Sequence, residues 1–157
     1  PLGVDFVSIA FSTDGSLLAA GNEIGQVKVW DFQSKTLLAT LTGHTARVNN
    51  IKFSNDDMKL STGSFDATVR IWNVMALNDQ PIVLQDHNDW VWSIAFSPDG
   101  EYLLAGCKDN IVRRWPTRIE TMAGIICDKI DRNMEQSEWE DFVAEDIPYE
   151  KTCNKLQ

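Results

Sequence analysis

His44 and Asp66 are the first residues in this chain whose types could support a reaction. A histidine beside a carboxylate is a common acid–base pair in active sites. Asp66 lies inside the stretch STGSFDATVRIW, where the pattern otherwise indicates strand, turn and strand. Its carboxylate therefore either takes part in chemistry or holds the surrounding segments in place.

Cysteine could supply a nucleophile. Cys107, Cys127 and Cys153 are an odd number and lack C-x-x-C spacing, so neither a zinc site nor a disulfide framework is indicated. No histidine follows Cys127 to activate it, and we expect a core cysteine on the buried face of a helix. Cys127 and Cys153 could approach each other, and we expect a reduced contact rather than a disulfide.

Motifs of known enzyme classes are absent from the sequence. It contains no G-x-S-x-G elbow, no P-loop and no H-E-x-x-H pair. GNEIG is interpreted as a glycine pair in a turn rather than a phosphate cradle. We therefore expect a protein that is not an enzyme and that uses no cofactor and no metal.

The composition narrows the choice of partners. The net charge is −9, which argues against a nucleic-acid groove and against binding to anionic lipid. The sequence contains no apolar run of about 20 residues, which a membrane-spanning helix would need. No signal peptide is recognisable. We expect a cytoplasmic protein with protein partners, and neither nucleic acid nor membrane among its ligands.

The elements that position these residues come from an internal repeat. SIAFSTDGSLLAAG, NIKFSNDDMKLSTG and SIAFSPDGEYLLAG are copies of one another. Their phenylalanines lie 42 and 43 residues apart, and the tryptophans that close each copy, Trp30, Trp72 and Trp115, have the same spacing. Two independent markers therefore give one period.

Each copy has the pattern of four short strands. VNNIKFS alternates apolar and polar residues, SNDD is a turn cluster, and KLSTGS and ATVRIWNV are typical of strands. A last strand, LLATL or PIVL, leads into the next copy. Four strands in about 40–45 residues is the size of a propeller blade.

LTGHTARVNNIKFSNDDMKLSTGSFDATVRIWNV resembles a complete WD repeat, as does LQDHNDWVWSIAFSPDGEYLLAGCKDNIVRRW. The resemblance implies a mainly β fold, a partial β-propeller of about three WD-type four-stranded blades, followed by a small α-helical tail. The expected domains are residues 1–115, with blades at about 4–44, 45–87 and 88–115, and a helical extension at 116–157 that packs on the propeller. The last blade ends at its third strand.

The WD resemblance also implies a role for Asp66. In that family a histidine, a serine or threonine, an aspartate and a tryptophan form a buried hydrogen-bond chain, here His44, Thr62, Asp66 and Trp72. The third copy has His87, Asp109 and Trp115, but Ala105 replaces the hydroxyl. The first copy has Trp30 with Ile24 and Leu2 at the acid and histidine positions. We favour this structural role over an acid–base pair.

Binding is expected on the rim where strand entries and turns meet. The positions of blades 2 and 3 that point there are Arg47, Asn49, Phe65, Trp90, Trp92 and Lys108, and those of blade 1 are Asp5, Val7 and Glu23. Aromatic and arginine side chains together are typical of interaction hot spots. The alternative is that Trp92 packs between blades and only Trp90 is exposed.

The tail changes pattern after Trp115. Ile119, Met122, Ala123, Ile126 and Ile130 have helical spacing, EQSEWEDFV indicates a shorter second helix, and EDIPYEKTC an extended arm. The segment RNMEQSEWEDFVAEDIPYEKTC is similar to the carboxyl end of bacterial WD-repeat proteins. We expect the apolar stripe to cap the propeller, the alternative being that it docks on a separate protein.

These patterns predict a non-catalytic protein-interaction scaffold, the carboxyl-terminal part of a larger bacterial WD-repeat protein. The alternatives are a regulatory sensor that controls an upstream protease-like or nucleotide-hydrolysing domain and, third, an enzyme fragment. Three blades do not close a ring. We therefore expect the open blade faces to support a homo-oligomer.

Overall fold

The computed structural model describes residues 5–129 and Cys153. Within them the chain forms eleven strands, one turn of 3-10 helix and one α-helix, which confirms the mainly β fold with a short helix near the carboxyl end. The chain divides into two compact units, Pro1–Trp115 and Pro116–Gln157. The expected packing of the second unit on the first stays a prediction.

The strands form three antiparallel sheets, which we call blades 1, 2 and 3. Blade 1 has the order β1-β2-β3-β4, with β1 Phe6–Phe11, β2 Leu17–Asn22, β3 Val27–Asp31 and β4 Thr36–Leu41. Blade 2 has the order β5-β6-β7-β8, with β5 Val48–Phe53, β6 Lys59–Ser64, β7 Val69–Asn73 and β8 Ile82–Leu84. Blade 3 has three strands among the described residues, β9 Val91–Phe96, β10 Tyr102–Cys107 and β11 Val112–Pro116.

The turn between the first two strands of each blade is built by a serine and an aspartate. In blade 2, Ser54 Oγ donates to Asp56 Oδ1 at 2.6 Å, and the same carboxylate oxygen accepts the N–H of Met58 at 3.1 Å. The next residue is in the left-handed region, with φ of 71° at Gly15, 56° at Asp57 and 70° at Gly100. These turns fix the register that carries each phenylalanine and leucine to the same face.

Two apolar cores lie between the blades. The first joins the Val27 and Val29 side of blade 1 to Ile51, Leu60 and Trp72 of blade 2. The second joins Val69 and Ile71 of blade 2 to Ile94 and Leu103 of blade 3. Blades 1 and 2 therefore each cover, with one face, the isoleucine, leucine and tryptophan face of the next blade.

A glycine in the second strand of each blade permits this close packing. A Cβ on Gly21 would lie 2.7 Å from a methyl of Val48, and one on Gly63 would lie 2.9 Å from a methyl of Val91. Gly106, the third of the series, would meet only Ser93 Oγ, in its own blade. The approach is reinforced by Ser8 Oγ, which donates to the Val48 carbonyl at 2.7 Å.

The second unit contains helix α1, Ile119–Cys127. Cys127 at its end forms a disulfide with the buried Cys153, with Cα atoms 5.4 Å apart. This corrects the expectation of a reduced contact, which rested on an assumed compartment, whereas the two Cα atoms lie within bridging distance. Cys107 is free and buried. The predicted second helix and the extended arm, Cys153 apart, lie outside the described residues, as does Ile130.

Candidate functional site

Three elements of blade 2 bring His44, Thr62, Asp66 and Trp72 together. Thr62 belongs to β6 and Trp72 to β7, while His44 lies between β4 and β5. Asp66 lies in the turn after β6, where Ser64 Oγ accepts the Asp66 N–H at 3.1 Å. The next residue, Ala67, has φ of 64°, a left-handed geometry that closes the turn.

These four side chains form one continuous chain of hydrogen bonds. Trp72 Nε1 donates to Thr62 Oγ1 at 3.1 Å, His44 Nε2 lies 2.8 Å from the same oxygen, and His44 Nδ1 lies 2.8 Å from Asp66 Oδ2. Because a carboxylate only accepts, the proton belongs on Nδ1. Nε2 then accepts the Thr62 hydroxyl proton, so a neutral imidazole satisfies every group.

The Asp66 carboxylate is saturated by donors. Its Oδ2 also accepts the Thr45 N–H at 3.0 Å, and its Oδ1 accepts the N–H and hydroxyl of Thr68 at 2.9 and 2.7 Å. Burial alone would raise the pKa of Asp66, but the bonds from His44, Thr68 and Thr45 outweigh it and hold the pKa far below its usual range. The Asp66 carboxylate is therefore ionised at neutral pH.

This arrangement supports a structural role rather than acid–base chemistry. The His44 side chain is fully buried, and the Asp66 side chain is only 6% exposed. A general acid or base works best with a pKa near the operating pH and needs contact with the substrate. The pair instead ties the entry segment of blade 2 to β6 and β7.

Blade 3 departs from the expected arrangement, because His87, Asp109 and Trp115 do not form one chain. The indole N–H of Trp115 donates to Asp86 Oδ2 at 3.1 Å, and Asp109 Oδ2 forms an ion pair with Arg113 at 2.7 Å. Neither ring nitrogen of the buried His87 has a hydrogen-bond partner among the described residues. Ala105 has no hydroxyl to join the indole and the imidazole, and Asp109 pairs with Arg113 rather than with His87.

Burial also acts on the charges of blade 3. It lowers the pKa of His87, together with the nearby Arg113, while Asp109 and Asp86 act in the opposite direction without cancelling the effect. The Asp109 pKa is lowered as well, since the Ile111 N–H and Arg113 outweigh the effect of burial. His87 is therefore held as a neutral ring.

Blade 1 uses a residue that sequence reasoning missed. Asn22 is fully buried, and its Oδ1 accepts the N–H groups of Ile24 and Gln26 at 3.1 and 2.8 Å. It thereby closes the β2–β3 turn without an aspartate. The repeat could have indicated this role, because Asn22 stands 42 residues before Ser64, whose hydroxyl stabilises the equivalent turn in blade 2.

The six residues predicted on the rim of blades 2 and 3 lie together on one surface. Phe65 and Trp90 are stacked, with ring centroids 4.6 Å apart and planes 9° from parallel. Trp92 stands edge-on to both, at 5.2 and 5.9 Å. Asn49 Nδ2 donates to the Trp92 carbonyl at 2.9 Å and ties the two blades. We call these residues, with Arg47 and Lys108, the aromatic surface.

Cations flank the stacked rings of the aromatic surface. The Arg47 guanidinium lies 5.7 Å from the Phe65 centroid, and Lys108 Nζ lies 4.3 Å from the Trp90 centroid. Each cation meets a carboxylate beyond the ring: Arg47 pairs with Glu23 at 3.5 Å, and Lys108 with Asp89 at 3.6 Å. The two stacked rings thus lie between two cations, each of which is paired with a carboxylate, in a row that spans all three blades.

Both tryptophans of the aromatic surface are open to solvent. Trp90 is 40% and Trp92 is 46% exposed, so Trp92 is not enclosed between blades as the alternative had it. The rings hold their positions through each other, through the cations and through backbone bonds such as Phe65 N–H to the Arg47 carbonyl at 3.0 Å. The result is a rigid apolar surface with charged borders.

Residues 5–129 and Cys153 contain no group of three or more histidine, cysteine, aspartate or glutamate side chains that could hold a metal ion. In the same residues, every helix is too short or too polar to cross a membrane.

A scan against protein families matches the model of the WD domain, G-beta repeat, at residues 4–31, 35–73 and 79–116. Among curated proteins, the chain is similar to WD repeat and SOCS box-containing protein 1 of Homo sapiens, with 33% identity over 115 residues, covering 73% of this chain and 27% of the relative. It is also similar to WD repeat-containing protein slp1 of Schizosaccharomyces pombe, with 36% identity over 111 residues, covering 71% and 22%.

Among solved structures, a chain in a crystal structure of the mitotic checkpoint complex is similar, with a TM-score of 0.68 and 34% sequence identity. The match covers 75% of this chain and 36% of that one. The chain therefore spans about a quarter of the length of the curated relatives reported above and about a third of the solved chain.

Proposed function

Since the chain belongs to the WD-repeat family, we propose that it is a non-catalytic scaffold that binds a protein partner through the aromatic surface. The observation that carries the proposal is the ordered cluster of Phe65, Trp90 and Trp92, two of which are exposed indoles. Aromatic side chains in a rigid setting bind with little loss of conformational entropy. Tryptophan and arginine dominate measured hot spots.

The charges on this surface limit what the partner presents. The faces of the stacked Phe65 and Trp90 that point away from each other are taken by Arg47 and Lys108, so the partner contacts ring edges and the exposed Trp92. Both cations form only exposed surface pairs with Glu23 and Asp89, which are weak. A partner with an apolar anchor flanked by carboxylates fits this surface. The net charge of −9 disfavours nucleic acid.

The similarity of the tail to bacterial WD-repeat proteins supports a place within a larger bacterial protein, whose other domains would supply any effector. The buried hydrogen-bond chain of blade 2 has a supporting role in the proposed function, because Asp66 fixes the turn between β6 and β7 that also contains Phe65. The first ring of the aromatic surface, Phe65, is thus adjacent in sequence to the buried Asp66 that fixes its turn.

A binding assay with matched variants tests this function. A partner captured by the wild-type chain would be purified, and its affinity measured for wild type, Trp90→Ala, Arg47→Ala and the control Met75→Ala. Met75 is 75% exposed and lies outside the aromatic surface. We expect Trp90→Ala to weaken binding about 30-fold, as for a hot spot of about 2 kcal/mol, and Met75→Ala to leave it unchanged.

Circular dichroism of each variant guards against loss of the fold. Equal affinity of a folded Trp90→Ala and the wild type would remove the aromatic surface as the binding site. If Arg47→Ala alone bound the partner as tightly as the wild type, the rings would remain the binding site and Arg47 would not belong to it.

A further inference from the structure

His87 lies in the connection between β8 and β9, where residues 85–90 form neither strand nor helix. It is only 6% exposed, and both of its ring nitrogens are buried without a hydrogen-bond partner among the described residues. His44 of blade 2, in contrast, has a partner on each nitrogen. Protonation makes both nitrogens donors, so a proton on His87 creates a buried cation with no bonded acceptor.

Among the described residues, three charged side chains act on the His87 ring. Asp86 precedes it in the same connection, Asp109 lies between β10 and β11, and Arg113 belongs to β11. Asp86 Oδ2 already accepts the Trp115 indole N–H at 3.1 Å, and Asp109 Oδ2 already pairs with Arg113 at 2.7 Å. To accept a hydrogen bond from a charged imidazole, either carboxylate has to turn away from its present partner.

This cluster lies on the side of blade 3 that blade 2 covers, since Trp115 packs against the apolar core that the two blades share. Burial disfavours the charged form of the His87 ring, and so does the Arg113 guanidinium, while Asp109 and Asp86 oppose them without cancelling the effect. The pKa of His87 is therefore lowered from its ordinary 6.5. The ring is neutral at neutral pH and gains its proton at acidic pH.

The two segments that hold this cluster also hold half of the aromatic surface. Trp90 follows His87 by three residues in the same connection, and Lys108 directly precedes Asp109 in the same turn. Lys108 Nζ lies 4.3 Å from the Trp90 ring centroid. A rearrangement of the charged groups around His87 therefore acts on the segments that position both of these side chains.

Hydrogen bonds tie the two segments to each other next to the rings. The Cys107 thiol donates to the Asp89 carbonyl at 3.0 Å, and the Lys108 N–H donates to the Trp90 carbonyl at 2.9 Å. Lys108 Nζ also pairs with the Asp89 carboxylate at 3.6 Å. The turn and the connection are thus linked, so that neither moves without the other.

Blade 2 has the same layout without the unpartnered ring. Phe65 directly precedes Asp66, as Lys108 directly precedes Asp109. The Asp66 carboxylate is held by His44 and by three further hydrogen bonds. The part of the aromatic surface that blade 2 supplies is therefore fixed, whereas the part from blade 3 depends on the state of its histidine.

We propose that His87 is a proton-operated switch of the aromatic surface: the neutral ring leaves the stack of Phe65 and Trp90 intact, and the protonated ring displaces Trp90 and Lys108 and weakens partner binding. The loss of binding rests on the proposed function, whereas the displacement is a property of the free chain. The surface is intact above the folded pKa of His87 and weakens as pH falls through it. Because linkage is reciprocal, a partner that needs the intact stack favours the neutral ring.

NMR titration of the full chain tests the displacement without a partner. The ring C–H signals of His87 would be followed from about pH 8 to about pH 5, together with the nuclear Overhauser contacts between the stacked rings of Phe65 and Trp90. We expect these contacts to weaken with the same midpoint as the His87 titration, below pH 6.5. The contacts of the buried Trp72 in blade 2 are the internal control and should persist.

His87→Phe removes the titrating group and keeps an aromatic ring at this position. Its contacts between Phe65 and Trp90 should persist over the whole range. If they weaken as in the wild type, another group is responsible and the proposal is wrong. It is also wrong if His87 titrates in the wild type while the stack stays intact, a result that needs no variant and stands even where His87→Phe does not fold.

Binding gives the functional consequence of the switch. The affinity of the purified partner would be measured at pH 7.5 and pH 5.5 for the wild type and for His87→Phe. We expect the wild type to lose affinity by up to about tenfold per pH unit relative to His87→Phe, the limit for one proton. Equal losses in the two chains overturn the switch and keep the aromatic surface as the binding site. Unchanged binding by a folded Trp90→Ala at pH 7.5 instead removes the proposed function and leaves the NMR result standing.

Discussion

Blades 2 and 3 carry a histidine, an aspartate and a tryptophan at equivalent positions, yet they connect them differently. In blade 2 the Thr62 hydroxyl accepts from Trp72 and pairs with His44, which pairs with Asp66. In blade 3 Ala105 stands at the threonine position, Trp115 bonds to Asp86, and Asp109 pairs with Arg113. Both ring nitrogens of His87 lack a hydrogen-bond partner among the described residues. The Thr62 hydroxyl joins the indole and the imidazole in blade 2 because it both donates and accepts, and blade 3 has no such group at residue 105.

The difference predicts that blade 2 depends most on its aspartate. Asp66→Ala leaves the His44 ring, the N–H groups of Thr45 and Thr68 and the Thr68 hydroxyl without an acceptor. We expect a loss of about 3 kcal/mol in the free energy of unfolding, measured by urea denaturation. Asp109→Ala is the matched change in blade 3. Equal losses for the two variants would show that the buried chain adds nothing.

The second prediction concerns the pH dependence that His87 gives to the stability of blade 3. The pKa of His87 is lowered in the folded chain from its ordinary 6.5, so the stability that the neutral ring contributes is present above that value. It is lost as pH falls through the folded pKa, since the unfolded chain then binds more protons. Stability should decline from pH 7 to pH 5 by at most about 1.4 kcal/mol per pH unit for this one proton.

His87→Phe removes the titrating group, and its urea denaturation midpoint should vary less over the same range. The contribution of Asp66 does not interfere, because its folded pKa is lowered from 3.8 and its stabilisation is lost only at lower pH. A decline of the same slope in His87→Phe would assign the pH dependence to other groups.

The third prediction restores the missing oxygen. Ala105 is 1% exposed and occupies the position equivalent to Thr62. Ala105→Thr would offer the orphan ring of His87 a hydroxyl and is expected to raise the free energy of unfolding by about 1 kcal/mol relative to Ala105→Val. Valine has nearly the same shape without the hydroxyl, so the difference between the two variants reports the hydrogen bond. No difference would mean that the blade 3 ring does not turn toward residue 105.

The smallest effect is expected from Asp109→Ala. Its carboxylate has the Arg113 ion pair and the Ile111 N–H at 3.0 Å, and it lacks the histidine contact of Asp66. We expect a smaller loss of stability than for Asp66→Ala, measured by urea denaturation, because fewer hydrogen bonds are removed and no histidine contact is lost. A loss larger than that of Asp66→Ala would contradict this comparison.

The repeat made much of the fold predictable. The spacing of 42 and 43 residues placed the strands, and the alternation around Ile51 and Phe53 placed the faces that pack between blades. The absence of a hydroxyl at Ala105 was also visible in the sequence. These features depend on local pattern and period, which sequence displays directly.

The hydrogen-bond and ion-pair partners that replace the chain in blade 3 were not predictable from the repeat. Asp86 accepts the indole N–H of Trp115, and Arg113 pairs with Asp109, although neither residue is one of the four positions of the hydrogen-bond chain in blade 2. Such choices depend on which side chain reaches a freed group in three dimensions. The Cys127–Cys153 disulfide was also missed, because the pairing of two cysteines 26 positions apart cannot be deduced from sequence alone.

The Cys127–Cys153 disulfide affects the outcome of proteolysis between the two cysteines. A protease that cleaves one peptide bond between residues 127 and 153 would leave both pieces covalently joined through sulfur. The nicked chain would migrate as one band until a reductant is added, and as two bands afterwards. Under oxidising conditions a cleaved peptide would thus stay bound to the rest of the molecule. Its release would indicate that the surroundings are reducing enough to break the disulfide.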